Sequence, residues 1–217
     1  MSSGKVASWA EAEEFAELST LTFPALVIDR ARERGQEAGS FDVSAGTGQA
    51  LRLLTALAHA NTVVEVGTGS AVGSLYLLDG MAKDGVLTTI DEEVENQRLA
   101  RETFAEAKLA SGRTRLINGK PVQVMRRLTD QAYDLVVIEA HLPEVTQIFE
   151  QAKRIVRPGG TIAFKNALLD DRLADPIQRG AEVAAMRALL KELREDEAFK
   201  PALLPAGGGV LAAVYKP

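Results

Sequence analysis

From Thr62 onward, short apolar runs alternate with segments whose apolar residues recur at helical spacing. Thr62 to Val66, Val86 to Asp91, Thr114 to Ile117, Tyr133 to Glu139 and Thr161 to Lys165 predict strands. Val72 to Lys83, Glu93 to Leu109, Pro121 to Thr129, Glu144 to Val156 and Asp175 to Glu195 predict the helices that follow them. Ala198 to Leu204 and Gly209 to Tyr215 read as a terminal strand pair. Arg157-Pro158-Gly159-Gly160 stops a helix and turns the chain into the next strand. Upstream, Ser8 to Leu18, Pro24 to Arg34 and Thr47 to Ala60 carry helical spacing, with Gly35 and Gly39 marking breaks. This order predicts an α/β fold: a doubly wound, mostly parallel seven-stranded sheet with an antiparallel C-terminal strand and an N-terminal helical extension. The expected organisation is one domain over residues 1–217, with a helical part at 1–60 and a core at 61–217.

Composition narrows the function. At 217 residues with 46% hydrophobic and 25% charged, the chain suits one sizeable core rather than two. Its net charge of -5 and lack of a basic cluster interleaved with aromatics make nucleic acid a poor substrate and a small molecule a better one. There are no cysteines, hence no disulfide or thiolate metal site. Met1 to Ala12 lacks the apolar segment of a signal peptide, and no run reaches the length of a membrane span, so a cytoplasmic protein is expected.

The chemistry concentrates at Val63-Val64-Glu65-Val66-Gly67-Thr68-Gly69-Ser70-Ala71. An apolar run leads to two glycines that allow a tight turn, and a helix follows, so backbone N–H groups face a ligand. A dinucleotide fingerprint requires a third glycine at position 72, where Val72 stands, with Gly73 next to it. Glu65 would also repel a pyrophosphate. S-adenosylmethionine (SAM), with a sulfonium, an ammonium and no phosphate, suits these carboxylates better. Asp91, ending the next strand, is placed to accept hydrogen bonds from ribose hydroxyls. A nicotinamide-dependent oxidoreductase is the alternative if the glycines are weighed without Glu65 and Asp91.

These residues resemble the class I SAM-dependent O-methyltransferases of the catechol and caffeoyl-coenzyme A type, O-methyltransferase family 3, over nearly the whole chain. The resemblance rests on Val43-Ser44, Gly48-Gln49-Ala50-Leu51, the Glu65 to Gly73 loop, Asp91, Asn118-Gly119-Lys120, Glu139, and Pro158-Gly159-Gly160 before Lys165-Asn166. It implies a Rossmann-like core and a homodimer. Glu65, Gly67, Gly69, Gly73 and Val43 would shape the methionine side of the SAM pocket and Asp91 would hold the ribose. Gly119 and Lys120 would sit by the adenine, and Glu139 at the fourth strand end.

That family typically holds a divalent cation with an Asp after the fourth strand and an Asp-Asn pair after the fifth. Here Glu139 and Lys165-Asn166 stand there, and Leu142 replaces the lysine associated with proton abstraction. An ammonium about 4 Å from a dication is repelled by roughly 8 kcal/mol at an effective dielectric near 20, an unrelaxed upper bound. No divalent metal is therefore expected. Lys165 is the candidate to occupy the metal's place, paired with Glu139 and polarising an acceptor hydroxyl. His141 is the candidate general base, whereas His59 reads as a helix-terminal residue. Asp170, Asp171 and Arg172 fall on a loop near the reacting methyl, either solvated or touching substrate. Trp9 and Phe15 cover the acceptor or a partner subunit, or pack in the core. The losses at Leu142 and Lys165 also admit a SAM-binding protein without catalysis.

Overall fold

The computed structural model describes residues 9–16, 23–40 and 42–217. The expected first helix appears as α1 (residues 9–16); Ser8, Glu17 and Leu18 lie outside the described residues. Helices α2 (Ala25–Glu37) and α3 (Ala45–Leu57) complete the preamble. Ser44 caps α3 by accepting the Thr47 N–H, which is why that helix starts after it. The alternating part runs β1 (Thr62–Val66), α4 (Val72–Gly80), β2 (Val86–Asp91), α5 (Val94–Glu106), β3 (Thr114–Asn118), α6 (Pro121–Met125), β4 (Tyr133–Glu139), α7 (Val145–Ile155), β5 (Val156–Lys165), α8 (Ala181–Glu195), β6 (Phe199–Leu204) and β7 (Val210–Tyr215).

Among the described residues the sheet has seven strands in the order β3-β2-β1-β4-β5-β7-β6, parallel except for β7. The order reverses between β1 and β4, so the crevice for a ligand lies at their C-terminal ends. One core cluster packs α7 and α8 against Val64, Val66, Val136, Ile138, Ile162 and Phe164. The other packs α2 to α5 against Val63, Leu87, Leu135, Val137 and Ala163. Alternation along each strand therefore feeds both faces. No helix among the described residues is long and apolar enough to cross a membrane.

Three local differences have physical causes. Helix α8 begins at Ala181 rather than Asp175, because Pro176 disfavours helical backbone at Asp175 and Gly180 adds a break. The Arg157 to Gly160 stretch is an irregularity inside β5: Val156 already pairs with Tyr133, and register resumes at Leu135 with Thr161. Gly159 makes the excursion possible with φ of +78°. Helix α4 is buried from Val72 to Leu78, since it is packed against α2 and α3 as well as the sheet, so its pattern is apolar rather than amphipathic.

Candidate active site

Cross-strand pairing puts Thr89, Glu65, Val137 and Ala163 in one row on the α4 side of the sheet. One row further along lie Asp91, Glu139 and Lys165, at the strand ends. Lys165 leans back across β4 to the first row. Its Nζ donates to Glu65 Oε1 at 3.0 Å and to the Gly67 carbonyl at 2.6 Å. Both side chains are buried, at 2% and 0% exposure. Burial opposes the lysine's charge, but Glu65, Glu139 and Asp42 outweigh it and raise its pKa. Glu65 Oε2 accepts from Ser74 Oγ and, at 3.0 Å, from Thr89 Oγ1.

The expected Lys165–Glu139 pairing is thus replaced by Lys165–Glu65, with Glu139 acting on the ammonium only through its field. Geometry explains the choice. Glu65 is fully enclosed and needs a cation, whereas Glu139 has partners at the cleft. Gly73 permits the pair: a Cβ there would stand 2.9 Å from Glu65 Oε1 and 3.4 Å from Lys165 Nζ.

The glycine loop hangs on Asp91. Its Oδ2 accepts from the Thr68 N–H at 2.9 Å, the Gly69 N–H at 3.2 Å and Asn96 Nδ2 at 3.1 Å, while Oδ1 accepts from the Glu93 N–H at 2.9 Å. Oδ1 keeps lone-pair capacity for a further donor. Gly67 has φ of +91°, and a Cβ on it would meet Glu139 Cβ at 2.6 Å. Asp42 fixes the far side of the loop through Ser70 N–H and Oγ; burial raises its pKa against those two bonds.

Beyond the loop, Glu139 Oε1 accepts from His141 Nδ1 at 2.9 Å and Glu139 Oε2 from Asn166 Nδ2 at 2.9 Å. Asp170 Oδ2 stands 3.5 Å from His141 Nε2. The Glu139 bond is the main reason the His141 pKa is raised above 6.5; partial burial opposes it and Asp170 adds to it. Because Glu139 can only accept, neutral His141 carries its proton on Nδ1 and its lone pair on Nε2. Leu169, Asp170 and Asp171 have successive φ values of +52°, +53° and +63°, a conformation costing of order 1 kcal/mol or more per non-glycine residue.

A cavity of about 480 Å³ opens here, lined by Gly67, Gly69, Asp91, Glu139, His141 and residues of the β2–α5 turn. That volume is ample for a nucleoside-sized ligand. Asp91, Glu92, Glu93, Glu95 and Glu139 all line it, with no lysine or arginine among the described residues. Of the other predicted site residues, Glu65, Lys165 and Gly73 form the buried layer beneath the loop, and Val43 packs beside Gly73 in the core. Gly119 donates its N–H to the Asp91 carbonyl. Lys120 precedes α6 and lines a smaller adjoining cavity with Glu92 and Pro121. His59 follows α3, exposed and left-handed, as a helix-terminal residue. Trp9 and Phe15 are 60% and 76% exposed, which excludes the core role for them. Ser74, Thr89, Asn96 and Asp42 escape sequence reasoning: single hydroxyls and a loop aspartate carry no spacing signal.

The strand ends do not fit a hard dication. Glu139 is the one carboxylate among Glu139, Lys165 and Asn166, and both its oxygens accept protein hydrogen bonds. No group of three or more His, Cys, Asp or Glu side chains among the described residues is arranged to hold a metal ion.

This arrangement, a doubly wound sheet with an acid-lined glycine cleft at its switch point, defines a methyltransferase-like α/β protein. The chain belongs to the O-methyltransferase family, whose sequence model matches residues 24–216. It is 47% identical over 188 residues to the "Putative O-methyltransferase" of Mycobacterium avium (strain 104), spanning 87% of this chain and 85% of that one. A relative of the same name from Mycobacterium tuberculosis (strain ATCC 25177 / H37Ra) is 46% identical over 189 residues, spanning 87% and 84%. Among solved structures, a Corynebacterium glutamicum protein superposes with a TM-score of 0.82 at 30% identity, over 95% of this chain and 98% of that one. The O-methyltransferase TomG of Streptomyces achromogenes, solved in complex with SAM, shares the fold with a TM-score of 0.85 at 23% identity, over 100% of both chains.

Proposed function

We propose that the protein transfers the methyl group of SAM to a hydroxyl of a small phenolic acceptor, without a bound divalent metal, as a cytoplasmic homodimer. The observation that carries the reading is the acid-lined cleft around Gly67 and Gly69. Five carboxylates, with His141 as the one basic side chain among the described lining residues, repel a pyrophosphate and attract a sulfonium with its ammonium. Asp91 Oδ1 is the acceptor for a ribose hydroxyl. The exposed Phe15, Leu53 and Leu57 on α1 and α3 supply an apolar face for a second copy.

When bound, SAM supplies an electrophilic methyl group, so the protein's share is orientation, exclusion of water and removal of one proton. The loop is clamped from below by Lys165 and from the side by Asp91; its N–H groups from Gly67 to Ala71 all donate within the protein, so it offers a rigid, close-approach wall rather than donors to the ligand. His141 takes the acceptor's hydroxyl proton on Nε2 while its Nδ1–H stays on Glu139. Lys165 acts from beneath the loop, as a fixed positive charge bonded to Glu65 and Gly67. Glu65 balances that charge, so Lys165 serves the reaction by positioning the loop rather than by contact with the acceptor.

Incubating the protein with SAM and a panel of phenols and catechols tests this, with and without chelator. Methyl ether formation that survives chelator, by protein free of divalent ion on metal analysis, is expected. Turnover that requires a stoichiometric divalent ion would overturn the metal-free reading. The internal use of Lys165 also accommodates a SAM-binding protein without catalysis; SAM binding with no transfer to any acceptor favours that alternative.

A further inference from the structure

We propose that the acceptor carries a protonated amine beside its apolar body, held in a second cavity lined by Trp9, Glu13, Ser44, Leu168, Asp171 and Gly207; this rests on the methyl-transfer reading above. The cavity has a volume of about 510 Å³ and, among the described residues, no lysine, arginine or histidine in its wall. Leu168 and Asp171 in its wall belong to the segment whose Asn166 bonds Glu139 and whose Asp170 faces His141, two residues that line the cleft. A molecule seated in it lies beside the segment that carries Asp170 to the base.

The chemistry of the lining selects charge. Trp9 offers an indole that is 60% exposed, a face suited to a cation. Glu13 is anchored on the wall, where its Oε1 accepts the Gly207 N–H at 3.0 Å. Asp171 makes no ion pair among the described residues. The neighbouring cation, Arg172, is turned to Glu182, to Asp170 and to the Leu169 carbonyl. Two carboxylates and one indole around an apolar space are a receptor for an ammonium group. An anionic acceptor would meet Glu13 and Asp171 here and the acidic cleft beyond.

Trp9 is the chain's single tryptophan, so its fluorescence reports on a ligand beside it without turnover; because Trp9 also lines a cavity of about 900 Å³ against α3, the Asp171 variants assign the signal to this cavity. Tyramine, 4-ethylphenol and 3-(4-hydroxyphenyl)propionate differ in charge at similar size and serve as probes. Trp9 emission is expected to titrate with tyramine at a Kd about threefold to tenfold below that for 4-ethylphenol, with the propionate weakest. Asp171→Asn should remove most of the preference and Asp171→Lys should reverse it; Asp171 is exposed, so the unfolding midpoint should be unchanged in Asp171→Asn, which tolerates the φ of +63°, and only slightly lowered in Asp171→Lys. Emission unresponsive to tyramine, equal affinity for the three probes, or a preference that persists in Asp171→Lys would each overturn the proposal. Calorimetry with SAM alone decides the underlying reading separately: a protein that binds SAM but shows no amine preference keeps the methyltransferase reading and loses this one.

Discussion

Glu65 and Lys165 lie 100 positions apart and meet only because β4 separates their strands, a contact that no local pattern encodes. Sequence spacing identifies Glu65 as a carboxylate beside a glycine turn, but not that its charge is consumed inside the sheet. A buried ion pair contributes little net stability over an apolar substitute, yet removing one partner strands the other. Lys165→Met should therefore lower the unfolding free energy by about 3–5 kcal/mol in urea titrations, and adding Glu65→Gln should restore most of it. At His141 the shift is upward from 6.5, so the basic form needed for proton removal accumulates only above that pH. The rate of methyl transfer should rise with pH through a value above 6.5 and flatten. Glu139→Gln removes the largest cause of the shift and should move the acid limb to lower pH; His141→Ala should abolish it, and an unchanged profile would remove the base assignment. The linked stability has the matching sign: protonated His141 favours the fold below about pH 6.5, and that contribution is lost as pH rises through the folded value.

At the level of elements, the turn from β1 into α4 was readable because its cause is local. Gly67 needs a positive φ and Val72 begins a helix, and both leave marks in the chain itself. The same holds for the strand that ends on Asp91. What spacing could not reveal is Asp91's first task, gripping the Thr68 and Gly69 N–H groups, because that depends on the parallel pairing of β1 with β2. Asp91→Ala should release the loop and weaken SAM binding by about tenfold to a hundredfold, the equivalent of losing one charge-assisted hydrogen bond, and should also lower the unfolding midpoint, because the Thr68 and Gly69 N–H groups lose their acceptor. Isothermal titration of the variant checks it; unaltered affinity would mean that the loop is held by Asp42 and Ser70 alone. Boundaries were less legible. Pro176 and Gly180 delay α8, and the excursion at Pro158 to Gly160 reads equally as a turn or as an irregular strand until β4 is laid beside it.

For the whole molecule, the mostly parallel, doubly wound sheet follows from alternation of strands and helices, while the strand order and the charge of the cleft emerge only on folding. Asp91, Glu92, Glu93, Glu95 and Glu139 come from two strand ends, one turn and the first turn of α5, and their convergence makes the switch point acidic. Glu65, by contrast, spends its charge on Lys165, so selection for a cationic ligand shifts from the strand interior to the rim. The central claim is that this rim binds a sulfonium nucleoside in preference to a phosphate-bearing one. Calorimetry of the purified protein with SAM and, separately, with NAD tests it most directly. One SAM per chain should bind with an affinity that weakens as salt is raised, and NAD should give no heat of binding; saturable NAD binding without SAM binding would contradict the account.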